Sequence, residues 1–219
     1  MARRKSPRRT RVARTKTAEP SPALHARIHA RLSRYYDLDG VPDVDDFVRL
    51  TEGDSRETLL LRDGPDGLEI ALHLPRAAVE AGHRACLDEI CQIVEGVSHF
   101  LYIAERARRE RPVTQLELEL QAEVDKYVML VDPCREGFRP AWGAAVRARL
   151  YDRVTFSHPP GTEPGDRYRF ANDLAARFAG RLERHLERRG PQGAAETHRL
   201  LRRFYWAGQA EKIELARAA

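Results

Sequence analysis

Two segments between residues 88 and 128 hold the side chains whose types and spacing can do chemistry. At 100° per residue, Asp88, Gln92, Glu95 and His99 fall within about 60° of one another on a first helix, with Tyr102 and Arg106 nearby. Glu95 and His99, one turn apart, can share a proton, a hydrogen bond or a metal ion. Most of the remaining circumference is apolar (Ile90, Ile93, Val94, Val97, Phe100, Leu101), which predicts a central helix with a narrow polar strip. On a second helix, Leu116, Leu120, Val124, Tyr127 and Leu130 define an apolar face; Glu123 points into it and Glu117 lies at its edge.

Buried carboxylates are costly unless paired or hydrogen-bonded. Either a base such as Lys126, Arg84 or Arg106 satisfies them, or they line a functional cavity. If the two helices pack antiparallel, Glu95 and His99 face Glu117 and Glu123. The sharp expectation is then a carboxylate–histidine site for a divalent metal or for acid–base work. Its plain counterpart is an interhelical ion-pair network beside a solvated strip. The paired Glu-x-x-His of helical di-metal bundles does not occur. Residues 114–120 also alternate with period two, and a short strand there would move every carboxylate named.

His25 and His29 sit one turn apart, a spacing that suits two zinc ligands, but no third ligand accompanies them. They are expected to be a solvated pair. His185 and His198 lie among arginines and read as surface or phosphate contacts. Phosphate loops, dinucleotide-binding glycine fingerprints, serine-hydrolase elbows and zinc-finger spacings are all absent.

The other chemistry open to this chain is polyanion binding. Residues 1–20 carry eight basic side chains against Glu19, and residues 166–219 carry twelve basic against seven acidic. The whole chain is only +5, so the middle is acidic and the high isoelectric point belongs to the two ends. The candidate contacts are Arg3, Arg4, Lys5, Arg8 and Arg9 in the tail. In the terminal hairpin they are Arg177, Arg181, Arg184, Arg188, Arg202 and Arg203, interleaved with Phe204, Tyr205 and Trp206. Arginine with exposed aromatics suits phosphate contact and stacking, and equally a protein interface.

The elements that must position these groups read as α+β and helix-dominated. Residues 1–20 lack apolar periodicity and are expected to be a disordered basic tail before a single domain over 21–219. A first helix is predicted over Pro22 to Tyr36, with Ser21 as its N-cap. Residues 44–74 read as a three-stranded antiparallel meander, because Leu68, Ile70, Leu72 and Leu74 alternate with polar or small residues behind a dense Asp63–Gly67 turn signal. A long helix over about 76–109, another from Pro112 to Val131, and a shorter one around Trp142, Val146 and Leu150 follow. Ala171, Leu174, Phe178 and Leu182, then Leu200, Leu201, Phe204 and Leu215 across Gly190-Pro191, predict a closing antiparallel helical hairpin.

Three cysteines without a C-x-x-C argue for reduced thiols, and no apolar stretch reaches the ~20 residues of a membrane span. The chain is expected in the cytoplasm. The leading expectation is a non-enzymatic binding or regulatory protein contacting nucleic acid or an acidic protein through its basic ends. The rival is a helical enzyme using Glu95, His99, Glu117 and Glu123, and a third reading is a structural subunit of a larger complex. No cofactor is named by these residues.

Overall fold

The computed structural model describes residues 22–53, 55–64, 67–132, 139–189 and 191–218. Its fold is α+β and helix-dominated, with one small three-stranded sheet. The tail and Ser21 lie outside the described residues.

Helix α1 (Leu24–Tyr36) turns Leu24, Ile28, Leu32 and Tyr36 inward and starts two residues later than predicted, on Ala23 with no side-chain cap. Strands β1 (Val48–Thr51), β2 (Thr58–Gly64) and β3 (Gly67–Pro75) follow. They are not an antiparallel meander. The order is β1-β3-β2: β2 pairs antiparallel with β3, while β1 runs parallel to β3 with Val48 opposite Leu72 and Leu50 opposite Leu74. The physical reason is that β3 is the longest strand and carries fully buried Leu72 and Leu74. It therefore takes the centre, and the shorter, more polar strands take the edges.

The predicted long helix over 76–109 is two helices. A short α2 (Arg76–Ala81) ends where Gly82 adopts φ +56, and α3 (Leu87–Arg108) restarts with the Glu89 carboxylate accepting the Cys86 N–H at 2.6 Å. Residues 114–120 are helical, not a strand: Thr114 and Glu117 form a capping box that opens α4 (Gln115–Val131). Helix α5 (Pro140–Arg147) runs into a π turn over Ala148–Asp152. Helix α6 (Glu163–Arg189) closes the fold against α4, α5, α7 (Pro191–Trp206) and α8 (Gln209–Arg217). The second arm of the predicted hairpin is thus broken, between Trp206 and Gln209, into α7 and α8.

Helix α3 is central, packed on the sheet, α1 and α4, while α4 links α3 to α6. Val94, Val97, Phe100 and Leu101 of α3 and Leu120, Val124, Tyr127 and Val128 of α4 are all buried. No helix among the described residues is long and apolar enough to cross a membrane.

Candidate functional site

Where α3 leaves the core, its polar strip opens into a cleft of about 560 Å³. The opposite wall comes from α4, one end from the loop before β2, and the rim from the π turn and residues 153–158. Gly96 makes the site compact. A Cβ there would stand 3.0 Å from Leu72 Cδ1 and from Leu74 Cδ2, and 3.5 Å from Glu57 Cβ. The missing methyl lets the helix settle on the sheet and brings Glu57 beside Glu95.

Lys126 of α4 reaches across to Glu95 Oε2 at 2.8 Å and also holds Glu123 Oε1 at 2.8 Å. Burial alone would raise Glu95, but the Lys126 ammonium outweighs it and keeps that carboxyl below its ordinary range. Glu57 has only the Arg56 guanidinium at 3.8 Å, and no ion pair of Glu119 is found among the described residues. Burial, reinforced by the Glu95 charge, pushes Glu57 up and pushes Glu119 up to about 7, although Tyr168 donates a hydrogen bond to Glu119.

His99 is the centre of the arrangement. One oxygen each of Glu95 and Glu119 and one ring nitrogen of His99 lie within 4.8 Å of one another. Burial lowers the His99 pKa, so the ring is neutral, and it donates to the Leu118 carbonyl. Its Nε2 is buried with no hydrogen-bond partner among the described residues, as is Glu57 Oε2. A neutral imidazole oriented by a carbonyl, with its other nitrogen free and two carboxylates converging, is the donor set of a borderline divalent cation. Cys91 lines the same cleft, but burial pushes its thiol up to about 11, so it offers no thiolate.

Of the four residues singled out in the sequence, the structure brings Glu95 and His99 together at this site and places Glu123 on its wall, neutralised by Lys126. Glu117 lies elsewhere. Its carboxylate accepts the Thr114 N–H at 2.8 Å, capping its own helix. The proposed bases divide likewise: Arg84 is exposed, and Arg106 donates to the Tyr102 hydroxyl at 2.6 Å and the Ala207 carbonyl at 2.7 Å. Glu57 and Glu119 are the additions. The Thr114-x-x-Glu117 cap signal already committed Glu117 to the backbone, which left Glu119, about 200° away around the helix, to face α3.

The hairpin arginines are mostly engaged. Arg177 pairs with Asp173 at 2.9 Å, Arg181 donates to the Leu215 carbonyl at 2.8 Å, Arg202 pairs with Asp37 at 2.7 Å and Arg203 with Glu211 at 2.9 Å. Arg184 is exposed, and Arg188 lies in the last turn of α6. Phe204 and Tyr205 are buried, and Trp206 sits half-buried with the Arg109 guanidinium 4.0 Å over its ring. Arg3, Arg4, Lys5, Arg8 and Arg9 lie outside the described residues. His25 is no solvated histidine; it is buried, with Nε2 2.7 Å from Asp45. Comparison of the chain with protein-family models, curated proteins and solved structures finds no match, so its chemistry has to be read from these side chains.

Proposed function

We propose that the protein is an enzyme whose active site is this cleft, with Glu95, His99 and Glu119 holding a divalent cation. The observation that carries the reading is the buried, unpartnered Nε2 of His99 beside two converging carboxylates. Leaving a buried acceptor unmatched costs about 1–3 kcal/mol, and a cation removes that cost while relieving the repulsion among the carboxylates. Three protein ligands would leave coordination positions open, the pattern of catalytic rather than structural sites, and Glu95, which lines the cleft, joins the cluster to it. A cation there would polarise a substrate oxygen or activate water, and Glu57, on the facing wall, is the group placed to carry the proton.

Titration of the chelated full chain with Mn²⁺, followed by calorimetry, tests this. One Mn²⁺ per chain is expected, with binding lost in His99→Ala and Glu119→Gln and kept in Glu117→Gln, the helix cap. Absence of Mn²⁺ and Zn²⁺ binding at millimolar concentration removes the reading.

Contact with nucleic acid or an acidic partner is a separate proposal and rests chiefly on residues 1–20, because the hairpin arginines mostly have partners within the fold. A salt series of fluorescence anisotropy on residues 1–219 and 21–219 tests it, since each phosphate contact adds about −0.9 to the log–log slope on duplex DNA.

A further inference from the structure

We infer that the cleft takes a small molecule bearing an oxyanion, phosphate or carboxylate, gripped by Arg149 and Arg153 at the rim. The inference rests on the cation reading for the floor and adds the ligand class. Both arginines line the cleft, both are exposed, and neither makes an ion pair among the described residues. Their placement comes from the backbone. Arg149 lies within the π turn over Ala148–Asp152 and Arg153 caps it, so the widened turn presents two guanidinium groups to one opening. Two like charges four residues apart repel, and Asp152, in the same turn, makes an ion pair with neither among the described residues.

The facing wall adds a third cation, Arg56, which is paired with Asp88 at 3.6 Å and with Glu57 at 3.8 Å. The rim between them is stiff: the Arg169 guanidinium stacks 4.5 Å from the Phe156 ring centroid and bonds the His158 carbonyl at 2.9 Å, and His158 stacks on Tyr168. The cleft lining sets Arg56, Arg149, Arg153 and Lys126 against Glu57, Asp88, Glu95 and Glu123, and a divalent ion held behind Glu95 by His99 and Glu119 would tip that balance to positive. An oxyanion would suit this arrangement: the planar forks of Arg149 and Arg153 would take its oxygens in pairs, and a cation held by Glu95, His99 and Glu119 would attract its remaining charge. An uncharged or cationic molecule would leave the arginine pair unmatched.

The test uses the full chain loaded with Mn²⁺, read by water-proton relaxation, with inorganic phosphate and succinate as separate probes. Wild-type protein is expected to bind at least one probe with a drop in relaxation as metal-bound water is displaced. Stronger phosphate binding assigns a phosphate-type ligand, and stronger succinate binding a carboxylate-type one. The Arg149→Ala/Arg153→Ala variant is expected to bind Mn²⁺ as wild type does but the preferred probe roughly tenfold more weakly. Unchanged probe affinity in that variant overturns the inference and leaves the cation reading intact. Loss of Mn²⁺ binding in the wild type overturns the cation reading. Calorimetric titration of phosphate and succinate into the metal-free chain and its double variant then decides the arginines alone, with equal or absent binding counting against them.

Discussion

Helix α4 carries two buried polar networks, and they differ in one respect that separates structure from site. On its core side, Asp125 accepts hydrogen bonds from Ser98 at 2.6 Å, from Gln121 at 2.9 Å and from the Tyr36 hydroxyl. Lys212, wholly buried, donates to Gln121 and to the Phe204 carbonyl and lies against the Tyr102 and Phe204 rings. Every polar side chain in that network has a partner. On its cleft side, His99 Nε2 and Glu57 Oε2 make no hydrogen bond among the described residues, and Glu57 and Glu119 are raised toward protonation.

The two lysines run the other way. Lys126 is buried but braced by two carboxylates that, against the cost of burial, hold it charged well above its ordinary range. Lys212 has no carboxylate in direct contact, and burial drives it well below. A network whose polar atoms all pair fixes a fold, whereas buried polar atoms left unpaired mark where the proposed cation would bind.

Breaking the satisfied side should cost most. Asp125→Ala strands the Tyr36 and Ser98 hydroxyls and is expected to lower unfolding stability by about 3–5 kcal/mol in urea titration. The pH response comes next. Glu119, at about 7 in the fold, binds its proton more tightly than the unfolded chain does. The stability it contributes is full below the ordinary carboxyl range and is lost as pH rises through 7. Asp125, pushed up by burial to about 6, and Glu57, pushed up by burial to about 8, act in the same direction at lower and higher pH. Metal-free protein should therefore lose on the order of 2 kcal/mol between pH 5 and 8, and Glu119→Gln should flatten the upper part of that curve. If stability rises across this range, the cleft carboxyls are not held as described.

A smaller effect is expected at Gly96. Gly96→Ala forces Leu72 and Leu74 to give by a few tenths of an ångström, and the cost should be about 1–2 kcal/mol. Its diagnostic consequence is weaker Mn²⁺ binding, because the sheet carrying Glu57 moves off α3. The smallest effect sharpens the comparison most. His99→Ala and Glu119→Gln, made in metal-free protein, should change stability by less than about 1 kcal/mol, and Glu119→Gln should raise it. Losses as large as that of Asp125→Ala would place the cleft on the structural side.

What was legible in the sequence follows from periodicity. The polar strip of Glu95 and His99 within an otherwise apolar α3 fixed that helix's orientation, and the apolar spacing of α4 fixed its partner. The choice of Glu117 over Glu119 turned on register in a stretch where glutamate and leucine alternate, and only the backbone cap at Thr114 resolves it. Glu57 left no signal, because it sits in a loop before β2, and the contact that brings it to Glu95 depends on Gly96, thirty-nine residues away. The parallel pairing of β1 was hidden for a related reason: adjacent strands are read as neighbours by default, while burial of Leu72 and Leu74 selects the centre of the sheet.

The site is also assembled in a definite order along the chain. Glu57, Glu95, His99 and Glu119 all precede residue 132, yet Tyr168, which donates to Glu119, comes from α6, which packs along α4. A nascent chain that has made only the first four helices carries these side chains but not the α6 hydroxyl that bonds Glu119, so the cluster is complete only after α6 docks.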